Sequence, residues 1–410
     1  MTMSNARGPI VRLDVASKLV ILLGGMLAAL ALTAINSVLP LIEGELSRGP
    51  QDSMLVKQLI GGVGLAMVVG AALSGFLVDR LGLRRVMVMA SLVYVVAGTA
   101  GLYLGDLRWL LASRLMLGFA AACIQIAALT LINTRLEGEQ RARWMGIHIS
   151  TAMLGTIAFH PIAGNLGELS WRYPFGLYGL GLVLVAGMIF GGPGETLAEV
   201  AQAKAVAPAR RIGFIGTMRS LGWFPFHYLP FAVLIGSVVF LPSIYLPFIL
   251  KSFGTSPSHI SYVLTADSVA GAGMALLYGR ARRKLSVHGA FLFSFSIIAA
   301  GTLVAVLSTS AFGVIAGMVI YGFGIGWLMA NLITSLGDKV SKERQGRATG
   351  FVKAAHFMAA PLAVTAMEPF ARRFGPESAL FVVLCIAITL IVLIGGRNAV
   401  RLWALRPARA

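Results

Sequence analysis

Long apolar runs broken by short polar connections fill the chain. They predict membrane-spanning helices at about 16–43, 54–78, 86–104, 108–134, 143–166, 173–193, 228–251, 258–279, 287–307, 311–336, 346–370 and 377–397. A bilayer core of roughly 30 Å needs about 20 apolar residues per helix, and about twelve runs meet that length. Lipid offers no water to an open backbone, so spans must be helices or closed barrels, and runs of this length are helices. The connection 194–227 is longer than the rest and rich in Ala and Arg. It divides the chain into residues 1–193, a linker 194–227 and residues 228–410, with six spans on each side. Within the linker, Ile212, Phe214, Ile215, Met218 and Leu221 are interleaved with Arg210, Arg211 and Arg219. Such a segment is either a helix lying on the membrane surface or a plain connection.

Composition agrees with this pattern. The 410 residues are 57% hydrophobic and only 12% charged, against about 25% charged in a soluble domain. The mean hydropathy is +0.83. The net charge of +18 would indicate nucleic acid in a soluble protein. Here Lys and Arg collect in alternate loops instead: Arg80, Arg84 and Arg85; Arg135, Arg141 and Arg143; Arg280, Arg282, Arg283 and Lys284; Lys339, Lys342, Arg344 and Arg347. By the positive-inside rule those loops and both termini are cytoplasmic, and nucleic acid is not an expected partner. The first run is too long for a signal peptide. The two cysteines, Cys123 and Cys385, lie inside apolar runs, so neither a disulfide framework nor a metal site is expected.

One loop stands apart. Gly75-Phe-Leu-Val-Asp79-Arg80-Leu-Gly82-Leu-Arg84-Arg85 lies between the second and third runs. Its charges place it in water, and its glycines predict a tight turn with close backbone contacts. The pattern Gly, Asp-Arg, Gly, basic pair resembles the loop between helices 2 and 3 of the major facilitator superfamily of transporters. Gly279-Arg280-Ala-Arg282-Arg283-Lys284 is a degenerate echo in the second half, lacking the acidic residue. The resemblance implies an all-α polytopic membrane protein with the major facilitator fold, two six-helix bundles around a central cavity. Four further stretches resemble the family, and particularly its proton-coupled bacterial efflux branch; one is the helix 10–11 region, Gly322-Phe-Gly324-Ile-Gly326, Asn331 and Glu343-Arg344-Gln-Gly346-Arg347-Ala-Thr-Gly350. Asn36-Ser-Val-Leu39-Pro40 interrupts helix 1, with Pro40 breaking its hydrogen-bond ladder. Helix 4 carries Arg114 with Gly118 four positions on. Helix 5 reads Gly155-Thr-Ile-Ala-Phe-His160-Pro161-Ile-Ala-Gly164. His160 stands where the family usually has glycine, and Ala163 replaces one glycine of a pair.

The polar residues inside the runs are the candidate site. Asp267 lies about ten residues into the eighth run, near the midplane at a rise of 1.5 Å per residue. Lys353 and His356 share a face of the eleventh run. Asp267 and Lys353 are candidate partners. Either they form a permanent ion pair, or Asp267 carries protons, since desolvation penalises its charged form. Arg114 either snorkels to the outer interface or, as its resemblance to the efflux members implies, takes part in proton movement. His160 either titrates near neutral pH or bonds a carbonyl freed by Pro161. Lys57 and Glu368 complete the set, which leans positive and favours an anionic or zwitterionic substrate. Tyr245, Phe248, Phe357 and Met358 either face the substrate or pack against lipid or core. There is no Gly-x4-Gly-Lys phosphate loop, no metal-ligand spacing and no catalytic triad, so neither an enzyme nor a cofactor is expected. The expectation is a monomeric inner-membrane transporter exporting a small amphiphilic molecule in exchange for protons. The Gly75–Arg85 loop would act as its cytoplasmic gate, and Pro40, Pro161, Gly155 and Gly164 would let helices bend. An importer or uncoupled facilitator of an organic anion is the first alternative, and a non-transporting receptor the second.

Overall fold

The computed structural model describes residues 13–190, 224–281, 285–337 and 342–404. Among these residues the regular structure is helical throughout, with no strand. The spans are α1 (Val15–Leu46), α2 (Pro50–Leu81), α3 (Leu83–Thr99), α4 (Leu107–Arg135), α5 (Gly138–Leu169), α6 (Tyr173–Phe190), α7 (Phe224–Ser252), α8 (Pro257–Ala281), α9 (Val287–Leu307), α10 (Ala311–Gly337), α11 (Lys342–Phe374) and α12 (Ser378–Ala404). Eleven of them are long and apolar enough to cross a membrane. The exception is α5, which is as long as α2 but is diluted by His148, Thr151, Thr156 and His160. Most of the expected linker, with its surface helix, lies outside the described residues, as do Arg282, Arg283, Lys284 and Lys339.

Local chemistry sets the helix ends. Asp14 caps α1 by accepting from Ser17 N. Asp106 accepts from Arg108 N and Trp109 N at the start of α4, and Ser286 accepts from Gly289 N at the start of α9. These side chains satisfy amide groups that have no partner in the first turn. α1 is not continuous. Its α-helix ends at Thr33, a 3-10 turn occupies Asn36–Val38, and helix resumes at Leu39. Pro40 stands in the first turn of the resumed helix, where its missing N–H costs nothing. The bend therefore falls upstream of the proline.

The loop expected over Gly75–Arg85 is almost entirely helix. α2 continues through Leu81, α3 starts at Leu83, and only Gly82 intervenes. Its φ of 85° is the left-handed conformation that glycine adopts without strain. The close contacts expected of Gly75 are absent, since a Cβ there would meet nothing within 4 Å. The charges mark the water-exposed end of a helix rather than an unwound segment.

By contacts the chain forms two units. The first takes in Met1–Ile35, Gln58–Ala163 and Ser170–Arg211, so far as these are described. In it α4 packs on α1 and α3, and α6 on α3. Tyr94 on α3 donates to Leu27 O on α1 at 2.8 Å, and His148 Nδ1 on α5 lies 2.8 Å from Ile21 O. The second unit takes in Asn36–Lys57, Gly164–Leu169 and Ile212–Ala410. In it α10 packs on α8 and α9, α7 on α11, and α12 on α7 and α9. The glycines of α8 and α10 let these two helices meet backbone to backbone at Gly271 and Gly326.

Candidate functional site

Among the described residues, the buried charges Lys57 and Glu368 meet in the second unit. The C-terminal part of α1 supplies Glu43 and the start of α2 supplies Lys57. α7 supplies Tyr245 and Phe248, and the end of α11 supplies Glu368 and Arg372. Lys57 is 5% exposed and Glu368 2%. Lys57 Nζ lies 3.1 Å from Glu368 Oε2 and 3.6 Å from Glu43 Oε1, and it donates to Ser53 Oγ at 2.6 Å. It also sits over the rings of Phe248 at 4.7 Å and Tyr245 at 5.5 Å. Glu368 accepts from Arg372 Nε at 3.2 Å and from the Tyr245 hydroxyl at 3.2 Å. A charged group buried this deeply needs such partners, because desolvation otherwise outweighs any single attraction. The cluster lines a cavity of about 190 Å3.

Further polar contacts join the same unit. Asn36 Nδ2 donates to Ser243 Oγ at 3.0 Å, and Asn165 Nδ2 to the Tyr262 hydroxyl at 3.1 Å. Glu168, at the end of α5 and outside the apolar part of the helix, accepts from Ser258 N at 3.0 Å. Hydrogen bonds from Ser258 hold its carboxyl below the usual range. The bond to the charged form is thus present at neutral pH and is lost only as the medium falls through that depressed value.

Asp267 is set apart from the cluster. It lies in the middle of α8, half-buried, with Oδ1 enclosed and without a hydrogen-bond partner. It packs on Gly322 of α10, where any side chain would collide with its backbone and carboxyl oxygens. The expected Asp267–Lys353 pair does not form: among the described residues Asp267 makes no ion pair. Lys353 is exposed on α11. One turn away, His356 has a buried, unpartnered Nδ1 and lies against Phe240 and Phe357, with ring centroids 5.3 and 5.7 Å apart.

The first unit holds the other candidates. Arg114 is 0% exposed and does not snorkel. Nη1 donates to the Tyr178 hydroxyl at 2.9 Å and Nη2 to Gly98 O at 2.8 Å. Its guanidinium lies 4.7 Å from the ring centroids of both Phe175 and Tyr178. His160 is buried in α5, which runs on through Pro161. Gly155 packs on Met26, while Gly164, in the second unit, packs on Ser261. In the α2–α3 connection Arg84 donates to Met188 O and Ile189 O at the end of α6, Arg80 stacks on Phe76 at 4.3 Å, and Arg85 and Asp79 are exposed.

Glu43, Arg372 and the hydroxyl of Tyr245 are members of the cluster that their neighbours in sequence do not reveal. Only the four-residue spacing of Glu368 and Arg372 on one helix face signals a pair. Lys57 and Glu368 are 311 residues apart.

An all-helical chain with spans this long, and with charges buried inside them, is a multi-pass membrane protein. It belongs to the Major Facilitator Superfamily, whose family model matches residues 21–249 and again 229–410. The family and its solved members similar to this chain are transporters, not enzymes. The chain is 27% identical over 270 residues to the 3-(3-hydroxy-phenyl)propionate transporter of Escherichia coli, which covers 64% of this chain and 63% of that protein. It is 27% identical over 161 residues to the facilitated glucose transporter member 10 of Xenopus laevis, covering 38% of this chain and 28% of that one. The chain thus spans less than two thirds of either relative. The crystal structure of a D-xylose-proton symporter superposes with a TM-score of 0.76 over 92% of this chain and 96% of the other, at 14% identity, a likeness of fold alone.

Proposed function

We propose that the protein exchanges a small organic acid for protons across the inner membrane. It would work by alternating access as a monomer, with both termini cytoplasmic. Asp267 carries this reading. A carboxylate midway along a spanning helix, with one oxygen buried and no partner, is costly to keep unless it serves the reaction. Lys353, exposed on α11, and His356 supply the complementary charge and hydrogen bonding for an anionic substrate. The resemblance of α4 and α5 to efflux members favours export. A second reading, inward movement of an aromatic carboxylate, is favoured by the similarity to a transporter of 3-(3-hydroxy-phenyl)propionate.

Vesicles containing the purified protein, loaded with labelled aromatic acids and given a pH gradient of either sign, test both. Gradient-driven flux of one acid is expected, and the productive sign of the gradient gives the direction. Asp267→Asn should cut that flux about tenfold or more, about 1.4 kcal/mol on the barrier. It should spare gradient-free exchange of labelled for unlabelled acid, which needs no net proton release. Flux indifferent to the gradient would remove proton coupling. Unchanged coupled flux in Asp267→Asn would remove only this carrier. At the α2–α3 connection, Asp79→Asn is expected to slow turnover and leave substrate affinity nearly intact. A large affinity loss in a folded variant would place that connection at the binding site instead.

A further inference from the structure

The charge cluster has a property that a simple ion pair lacks. Lys57 has Glu43 and Ser53 beside it on α1 and α2, at 3.6 and 2.6 Å. Glu368 has Tyr245 and Arg372 beside it on α7 and α11, both at 3.2 Å. The Lys57–Glu368 contact at 3.1 Å joins the two sets. Each of these buried charges therefore has one partner across the contact and at least one on its own side. Glu43, Lys57, Tyr245, Glu368 and Arg372 are the titratable and charged groups of the cluster, and they come from all four helices that build it.

Separating a buried ion pair is costly chiefly because it strands a charge. Here neither charge would be stranded. The cavity of about 190 Å3 lined by Glu43, Ser53, Lys57, Phe248, Glu368 and Arg372 leaves the ammonium room to swing. We propose that Glu43 is the exchange partner of Lys57. When α2 and α11 part during the transport cycle, the ammonium passes from Glu368 to Glu43, while Glu368 keeps Arg372 and the Tyr245 hydroxyl. The rings of Phe248 and Tyr245, both on α7, face the ammonium in the arrangement described and so favour it. Glu43 is thus a positioning residue: it sets how readily the contact opens. The inference rests on the alternating-access reading.

The two carboxylates should therefore act in opposite directions. The full-length protein, with Cys385→Ser to remove the exposed thiol and Ala371→Cys as a reporter in the cavity wall, is reconstituted in vesicles without substrate. The rate of labelling by a membrane-impermeant maleimide reports opening. Glu368→Gln deletes the closing contact and should raise the rate about tenfold. Glu43→Gln removes the place to which Lys57 withdraws and should lower it about threefold or more. Should Glu43→Gln not accumulate as folded protein, Glu43→Asp, with its shorter reach, must change the rate in the same direction less strongly. A cluster that merely glues helices together would loosen in both variants. A rate that rises, or stays unchanged, in the Glu43 variants would overturn the exchange. Because no substrate is present, opposite signs would uphold it even if no acid were ever transported, a result that would sink the transport reading alone.

Discussion

Gly326→Ala is expected to destabilise the protein far more than Gly271→Ala, although the two glycines face each other across the same helix crossing. The reason is the stagger of the two backbones. A Cβ on Gly326 would fall on the carbonyl and Cα of Gly271, where only backbone displacement makes room. A Cβ on Gly271 would meet Gly322 O at 3.2 Å and Gly326 N at 3.6 Å, contacts that a small shift relieves. Overpacking a close crossing costs about 1–3 kcal/mol and sometimes more. Alanine regains about 1 kcal/mol of helix propensity over glycine. With backbone as the obstacle, Gly326→Ala falls at the upper end of that overpacking range, for a net loss of about 2 kcal/mol, whereas Gly271→Ala nets a change near zero. Gly273→Ala, where nothing lies within 4 Å, serves as the control. Thermal denaturation of the purified variants in one detergent measures all three. Equal melting temperatures for Gly326→Ala and Gly271→Ala would mean that α8 and α10 do not meet as described. Gly322→Ala adds a functional arm, because its methyl would press on Asp267 and shift the carboxylate.

Much of the fold is written in local composition, and much of the site is not. Apolar runs mark the spans because a bilayer imposes length and apolarity residue by residue. α5 departs from that rule, since His148 and His160 turn into the protein and are buried there. The end of α2 was hidden for a related reason. Asp79 and Arg80 look like a loop by charge, yet a helix that projects past the bilayer tolerates charge at every exposed position, and only Gly82 forces the turn. The site divides in the same way. The depth of Asp267 follows from counting along α8, and the exceptional burial cost of Arg114 and Lys57 follows from their apolar surroundings. Which charge meets which depends on how distant helices pack, and no local pattern encodes that. Lys57 thus finds its carboxylate in the distant Glu368, while Asp267 and Lys353, opposite in charge, do not pair.

Arg114→Lys is expected to lower stability by roughly 3 kcal/mol or more, although the charge is kept. Arg114 is fully enclosed, and its charge is met by neutral acceptors and aromatic faces rather than by a carboxylate in any of its described contacts. Two donors of the planar fork reach in different directions, to α3 at Gly98 O and to α6 at the Tyr178 hydroxyl. The same plane lies against Phe175 and Tyr178. An ammonium is a compact, more strongly hydrated point charge that cannot span both acceptors while stacking on both rings, so it keeps the desolvation cost and forfeits much of the compensation. Hydrogen bonds to charged groups contribute about 1.5–3 kcal/mol each, which sets the size of the effect. Tyr178→Phe removes one of the two bonds and leaves the stacking, so it should cost about half as much. The melting temperatures of the two variants, compared with wild type in the same detergent, decide the matter. Were Arg114 snorkelling to the outer interface, lysine would serve as well and Tyr178→Phe would be silent. The ordering wild type, Tyr178→Phe, Arg114→Lys instead identifies Arg114 as the polar pin joining α3, α4 and α6 within the first unit.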